Sequence, residues 1–126
     1  MEELMDYFDS IGAQVNKETC SLEGKDFPEV LRELYDTVGS VDLPYGIIYN
    51  LDLAIKISAS DPFSQEWFVF GGDNYFSYWL CYKGENEEGH YFTYWDRESG
   101  MDIEPPIWDD LLTFLKEVEE DSKEEW

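Results

Sequence analysis

His90 is the only histidine of the chain, and Cys20 and Cys81 are its only cysteines. A nucleophile or general base would have to come from these three residues or from carboxylates. His90 opens an apolar run beside the charged loop 83–89, the ordinary setting of a surface histidine. Cys81 sits inside an aromatic stretch and reads as a buried, inert thiol, and neither cysteine has a neighbourhood that suggests activation. A Cys–His pair assembled by folding stays open, although nothing local signals it. Two cysteines make no disulfide framework and no C-x-x-C zinc pattern. With 30 Asp and Glu residues, acid pairs close in sequence arise by chance and signify little. Asp96, Glu98, Asp102 and Glu104 surround Gly100 in a spacing faintly like a calcium loop, but the glycine stands fifth rather than sixth in that run and the twelfth residue is Ile107, not Glu. Weak cation binding is compatible with this run; a dedicated site is not supported. Gly71-Gly72 follows an apolar run, yet no helix opens after it and its neighbours are acidic, so it reads as a hairpin turn and not a phosphate cradle. The chain holds no G-x-S-x-G, Walker or zinc-type pattern, so the residues supply no argument for an enzyme, a catalytic residue, a metal site or a cofactor.

Charge points elsewhere. Eight Lys and Arg against 30 Asp and Glu give a formal net charge of −22 over 126 residues. Affinity for DNA or RNA rests largely on basic side chains neutralising phosphates, so direct nucleic-acid binding is excluded as an expectation, and binding to anionic membranes is disfavoured for the same reason. An acid surplus favours a basic protein partner, whose approach it steers and accelerates. Its plainer role is to keep a protein soluble. Apolar residues at 43% and aromatics at 17% suffice for one core, and the length suits a single domain over residues 1–126. The acidic start Met1-Glu2-Glu3 is unlike a secretory signal, and no apolar run approaches the ~20 residues of a membrane span, so a cytoplasmic location is expected.

The elements that would position any site follow from periodicity. Leu4, Met5, Phe8 and Ile11 predict a helix over 2–11, stopped at Gly12. Residues 13–25 give no clear pattern. A second helix is expected from an Asp26 cap and Pro28 in its first turn, with Val30, Leu31, Leu34, Tyr35 and Val38 on one apolar face and Gly39 at its end. A turn at 43–46 leads to β-prone runs at 47–49, 54–57 and 67–70. Turn residues at 71–74 break the last of these, and strands over 75–82 and 90–95 complete an antiparallel meander. Pro105-Pro106 precedes a terminal helix whose apolar face includes Ile107, Trp108, Leu111, Leu112, Phe114, Leu115 and Val118, running into an acidic end over 117–126. This order predicts an α+β fold with a mainly antiparallel curved sheet of about five to six strands flanked by helices.

Period-two alternation places Tyr75, Ser77, Trp79 and Cys81 on one face of the central strand and Phe76, Tyr78, Leu80 and Tyr82 on the other. In the next strand Tyr91, Thr93 and Trp95 oppose Phe92 and Tyr94. Rings lie on both faces, so the second face is either a further core or an aromatic surface of the kind interfaces use as anchors.

Three stretches bear a family likeness. The first is Phe27-Pro28-Glu29-Val30-Leu31-Arg32-Glu33-Leu34-Tyr35, leading through Gly39 to Leu43-Pro44 and Ile48-Tyr49. The second is Glu66-Trp67-Phe68-Val69-Phe70-Gly71 with Asp73-Asn74 and Tyr78-Trp79-Leu80, and the third is Thr93-Tyr94-Trp95-Asp96 with Glu98, Gly100 and the terminal Leu111-Leu112-Thr113-Phe114-Leu115. Across roughly residues 27–118 the chain resembles the SUKH superfamily, bacterial immunity proteins related to a fungal cell-wall regulator. Gly39-Ser40 departs from the glycine pair common at that point. The resemblance implies a non-catalytic domain that neutralises a cognate polymorphic toxin, commonly a nuclease, or acts as a regulatory binding module; it carries over no catalytic set. Charge and resemblance together lead to one expectation: an acidic, aromatic surface covers the substrate channel of a basic toxin. Its candidate contacts are Asp73, Tyr75 and Tyr78 around the hairpin, Glu85, Glu87 and Glu88 in the next loop, and Asp96 and Glu98 beyond it. The alternatives are a regulatory scaffold module, a small hydrolase using unrecognised carboxylates, and a homodimer formed through the aromatic face.

Overall fold

Six strands follow one another in space in the order they follow along the chain. β1 (Gln14–Asn16), β2 (Ser40–Leu43), β3 (Gly46–Ile48), β4 (Trp67–Asp73), β5 (Ser77–Tyr82) and β6 (Phe92–Asp96) make one curved, open sheet in which every neighbouring pair is antiparallel. Helices α1 (Glu2–Ser10), α2 (Arg32–Thr37), α3 (Leu51–Ser58) and α4 (Leu111–Glu124) flank it, which makes the fold α+β. The structure, a computed structural model, describes residues 2–19, 21–60, 63–64, 66–73, 77–84, 89–96, 103 and 106–124.

Local chemistry sets the helix ends. Gly12, at φ +73, closes α1: its N–H donates to Asp9 O (3.2 Å) and that of Ala13 to Phe8 O (2.9 Å), the paired bonds of a Schellman stop. Asn50 caps α3 by accepting the Leu53 N–H at 2.9 Å, and Asp110 caps α4 by accepting that of Thr113 at 2.8 Å. Four expectations need correction. Residues 54–57 lie within α3 and not in a strand: the Asn50 cap and the buried positions Leu51, Ala54 and Ser58, at helical spacing, outweigh the β preference of Ile55 and Ile57. Asp26 caps nothing; a 3-10 turn (Glu29–Leu31) opens after Pro28 and passes into α2, which leaves Val30 46% exposed. Gly71–Asp73 do not break β4 but continue it beside β3. Ile107 is 57% exposed because it precedes α4, whose first residue is Leu111; Ile107 and Trp108 instead bond to Phe92 at the edge of β6.

The sheet separates two cores. The larger packs Leu4 and Phe8 of α1, Leu34 and Tyr35 of α2, and Phe114, Leu115 and Val118 of α4 against Phe68, Phe70, Trp79, Cys81 and Phe92. It includes Leu4, Tyr7 and Phe8 of α1. The smaller holds Phe63, Trp67, Val69, Leu80 and Trp95, with Tyr49, Tyr78, Tyr82, Ile57 and Ile103 around it. The alternation expected along β5 holds for Trp79 and Cys81 against Tyr78, Leu80 and Tyr82. Helix α3 straddles the two cores where β3 stops. There the buried Ser58 hydroxyl donates to Ala54 O and accepts the Val69 N–H, both at 2.7 Å, so the helix satisfies a β4 donor that a strand would otherwise take.

Trp79 fixes the centre. The register slips between Val69 and Gly71, a bulge that turns Phe70 and Gly71 toward the same side. The Trp79 indole lies across Gly71 of β4 and Gly46 of β3; a methyl group on Gly71 would meet the Ile47 carbonyl oxygen and stand 2.6 Å from Trp79 Cε3, and one on Gly46 would meet the Gly72 carbonyl oxygen and stand 2.7 Å from Cζ2. Nearby, a buried relay ties α1 to the β2–β3 turn and α4. The Tyr7 and Tyr45 hydroxyls are 2.7 Å apart, and Tyr7 donates to Glu119 Oε1 at 3.2 Å.

Two outcomes follow from this packing. Gly71→Ala is expected to cost about 1–3 kcal/mol in urea unfolding through overpacking, and Trp79→Leu in the same chain should recover part of it, so that the two changes couple in a double-mutant cycle. Purely additive costs would show that the Ile47 carbonyl oxygen, and not the indole, sets the limit. For the relay, burial, with a contribution from Glu119 and against the Tyr45 hydrogen bond, raises the Tyr7 pKa from 10.0 to about 12, and burial also raises that of Tyr45. The folded state holds these protons more tightly than the unfolded one. Its advantage is therefore complete below pH 10 and drains away as pH climbs through about 12. Chemical unfolding across that window should show stability falling with alkali, and the fall should shrink in Tyr45→Phe.

Candidate functional site

The β4–β5 hairpin and the far end of β6 bring three of the sequence-selected residues to one end of the sheet. Asp73 closes β4, and its Oδ1 accepts the Ser77 N–H at 2.9 Å, so its carboxylate is held across the hairpin mouth. Ser77 is in register with Asp96, which is exposed at the end of β6. Tyr78 is the next residue of β5 and projects into the opposite, smaller core. Its half-buried ring stacks on Trp95 with centroids 5.8 Å apart and planes 9° from parallel. Phe63 stands edge-on to both, at 5.7 Å from Tyr78 and 5.2 Å from Trp95. Asp73 and Asp96 thus share the sheet end, while Tyr78 belongs to the adjoining aromatic face. Tyr75, Glu85, Glu87, Glu88 and Glu98 lie outside the described residues.

Tyr49 is a further member that sequence reasoning did not single out. A methyl group on Gly72 would stand 2.9 Å from the Tyr49 hydroxyl and 3.4 Å from Tyr78 Cδ1, so the absent side chain of Gly72 makes the room these two rings use. Burial, then the nearby Tyr78 and Asp73, raise the pKa of Tyr49, which keeps its hydroxyl a neutral donor and acceptor. Its position after β3 carries no sequence signal for this: the Tyr49 N–H, bonded to Phe70 O at 2.9 Å, holds the residue beside β4.

The groups with reactive potential are placed otherwise. His90 Nε2 lies 3.1 Å from Asp109 Oδ1, a pairing near the start of α4. Cys81 is buried, and burial raises its thiol pKa, which disfavours the nucleophilic thiolate. Cys20 lies outside the described residues. Among the described residues no group of three or more His, Cys, Asp or Glu is placed to hold a metal ion. Glu98, Asp102 and Glu104 of the calcium-like run are outside them. A recess of about 260 Å³ opens between β1, α2 and the start of α3, over Tyr35 and Leu51 and rimmed by Asn16, Glu18, Asn50 and Asp52. Neither His90 nor Cys81 lines it, and the Asp52 carboxylate is bonded to Lys25 at 2.7 Å. Among the described residues no helix is long and apolar enough to cross a membrane.

The chain matches no family model, no curated protein and no solved structure.

Thirty carboxylates and eight basic side chains leave a charge that the molecule cannot neutralise internally. The pairs Lys25–Asp52 and Arg32–Glu29 are short, at 2.7 and 2.8 Å, but their acids are largely exposed and such pairs contribute little. Self-repulsion therefore opposes the compact state and is relieved by screening. Thermal melts should shift upward as salt rises from about 10 to 150 mM, over which the Debye length shrinks from roughly 30 to 8 Å. A melting temperature indifferent to salt would show that the acids are spaced too widely to repel one another.

Proposed function

We propose that this protein is a non-catalytic binding protein, an immunity protein of the SUKH kind that neutralises a basic toxin by lying over its substrate channel. The observation that carries this reading is the net charge of −22, together with carboxylates and half-buried rings at the β4–β6 end of the sheet. A nuclease needs a basic groove for phosphates. Asp73 and Asp96 supply negative charge at the strand ends, and Tyr78 beside Tyr49 supplies ring surface on the adjoining face. In such an interface aromatic side chains anchor, while carboxylates set orientation and speed of encounter. The resemblance over roughly 27–118 and the antiparallel α+β fold agree with it; neither names the toxin.

The test is co-purification with the product of the neighbouring gene, followed by a nuclease assay on that product with and without this protein. Inhibition at equimolar protein is the expected result. Association measured by stopped flow should slow roughly tenfold between about 10 and 150 mM salt. The double reversal Asp73→Lys, Asp96→Lys should weaken binding by tenfold or more. An association rate independent of salt, or full inhibition by the reversed protein, would overturn the proposed surface. A neighbouring product that binds without being inhibited would favour a regulatory scaffold instead.

A further inference from the structure

The edge of β6 presents a second ring pair, on the other side of the sheet from the Tyr78–Trp95 stack. Tyr94 is 43% exposed, and its ring lies 6.0 Å from that of Trp108 with the planes 30° apart. Neither ring is loosely held. Tyr94 is in register with the fully buried Trp79 of β5. The Trp108 backbone accepts the N–H groups of Tyr91 (3.0 Å) and Phe92 (3.1 Å) and donates to Phe92 O (3.2 Å). Its ring packs edge-on against Phe114 at 5.3 Å. The pair is preorganised, so a ligand that stacked on it would pay little ordering cost. Burial, and after it the negative charge of Asp121 on the exposed side of α4, raises the Tyr94 pKa.

Several occupants can be compared on charge. A second copy would bring another −22 toward the first. A nucleic-acid base would stack, but its phosphates meet the same repulsion. A planar cation gains twice, from the ring quadrupole and from the acidic surroundings, and guanidinium does so with a flat face and fixed donors that an ammonium lacks. The molecule already contains one such contact, Arg32 Cζ standing 5.2 Å over the Phe27 ring. We propose that the Tyr94–Trp108 pair, with Asp121 beside it, is the seat for an arginine side chain of the basic partner. This rests on the reading of a basic protein partner and adds the side chain that partner inserts and the edge where it does so.

The probes are hexaarginine and hexalysine peptides, titrated into the isotope-labelled protein and followed by NMR. The Trp108 indole N–H is expected among the most shifted signals with hexaarginine. Tyr94→Leu, which keeps apolar bulk at an exposed position and removes the ring, should weaken hexaarginine binding about fivefold and hexalysine binding less. Asp121→Asn, a change on the solvent side of α4, should weaken hexaarginine binding about twofold and serves should Tyr94→Leu disturb the fold. Equal weakening for both peptides, or shifts spread evenly over the acidic surface, would overturn the seat. Failure here is distinguishable from failure of the broader reading. Full toxin neutralisation by Tyr94→Leu refutes the seat alone, whereas an intact arginine preference without neutralisation refutes the immunity role alone.

Discussion

One tryptophan laid across two glycines is the constraint on which the centre of this fold depends. Trp79 needs the missing side chains of Gly46 and Gly71 to lie over two neighbouring strands. The bulge before Gly71 supplies the geometry, and the resulting slab carries Phe70 and Phe114 against its ring, at 6.2 Å in each case. Tyr45 packs on the same indole at 5.9 Å and delivers its hydroxyl to Tyr7. A single apolar contact thus aligns β3, β4 and β5, seats α4, and brings together the relay that holds α1.

Helices α1, α2 and α4 fill that side of the sheet, so the proposed contacts fall on the other face, at the far end of the sheet and at the β6 edge. To the smaller core α3 contributes Ile57, and Phe63 stands edge-on to Tyr78 and Trp95. Phe63, Trp67 and Trp95 are buried there, Tyr49, Tyr78 and Tyr82 are half-buried, and Asp73 and Asp96 stand at the strand ends. At the β6 edge the Ile107–Trp108 clip returns the chain to Phe92 and leaves Tyr94 partly open. These are the surfaces that the proposal assigns to a positively charged partner. The reactive types are elsewhere: the thiol of Cys81 is sealed in the main core and His90 is paired with Asp109, away from the recess under α3.

What the chain determined on its own is what nearest neighbours and composition decide. Gly12 ends α1 and Leu43-Pro44-Tyr45-Gly46 makes a turn because both are settled within a few residues, and the alternation along β5 places Tyr78 opposite Trp79 by geometry alone. The charge of −22 is likewise a property of the sequence and needs no fold. Tertiary structure decided the rest where local preferences were balanced. Ile55 and Ile57 favour a strand, yet the Asn50 cap and burial against β4 make them helical. Gly71-Gly72 reads as a turn until the Trp79 indole and the Tyr49 hydroxyl, distant in the chain, are seen to need that space. The joining of Asp73 with Asp96, and of Tyr94 with Trp108, follows from register and from a chain return that no short window contains, because such contacts form only when burying a shared core repays the entropy of closing long loops.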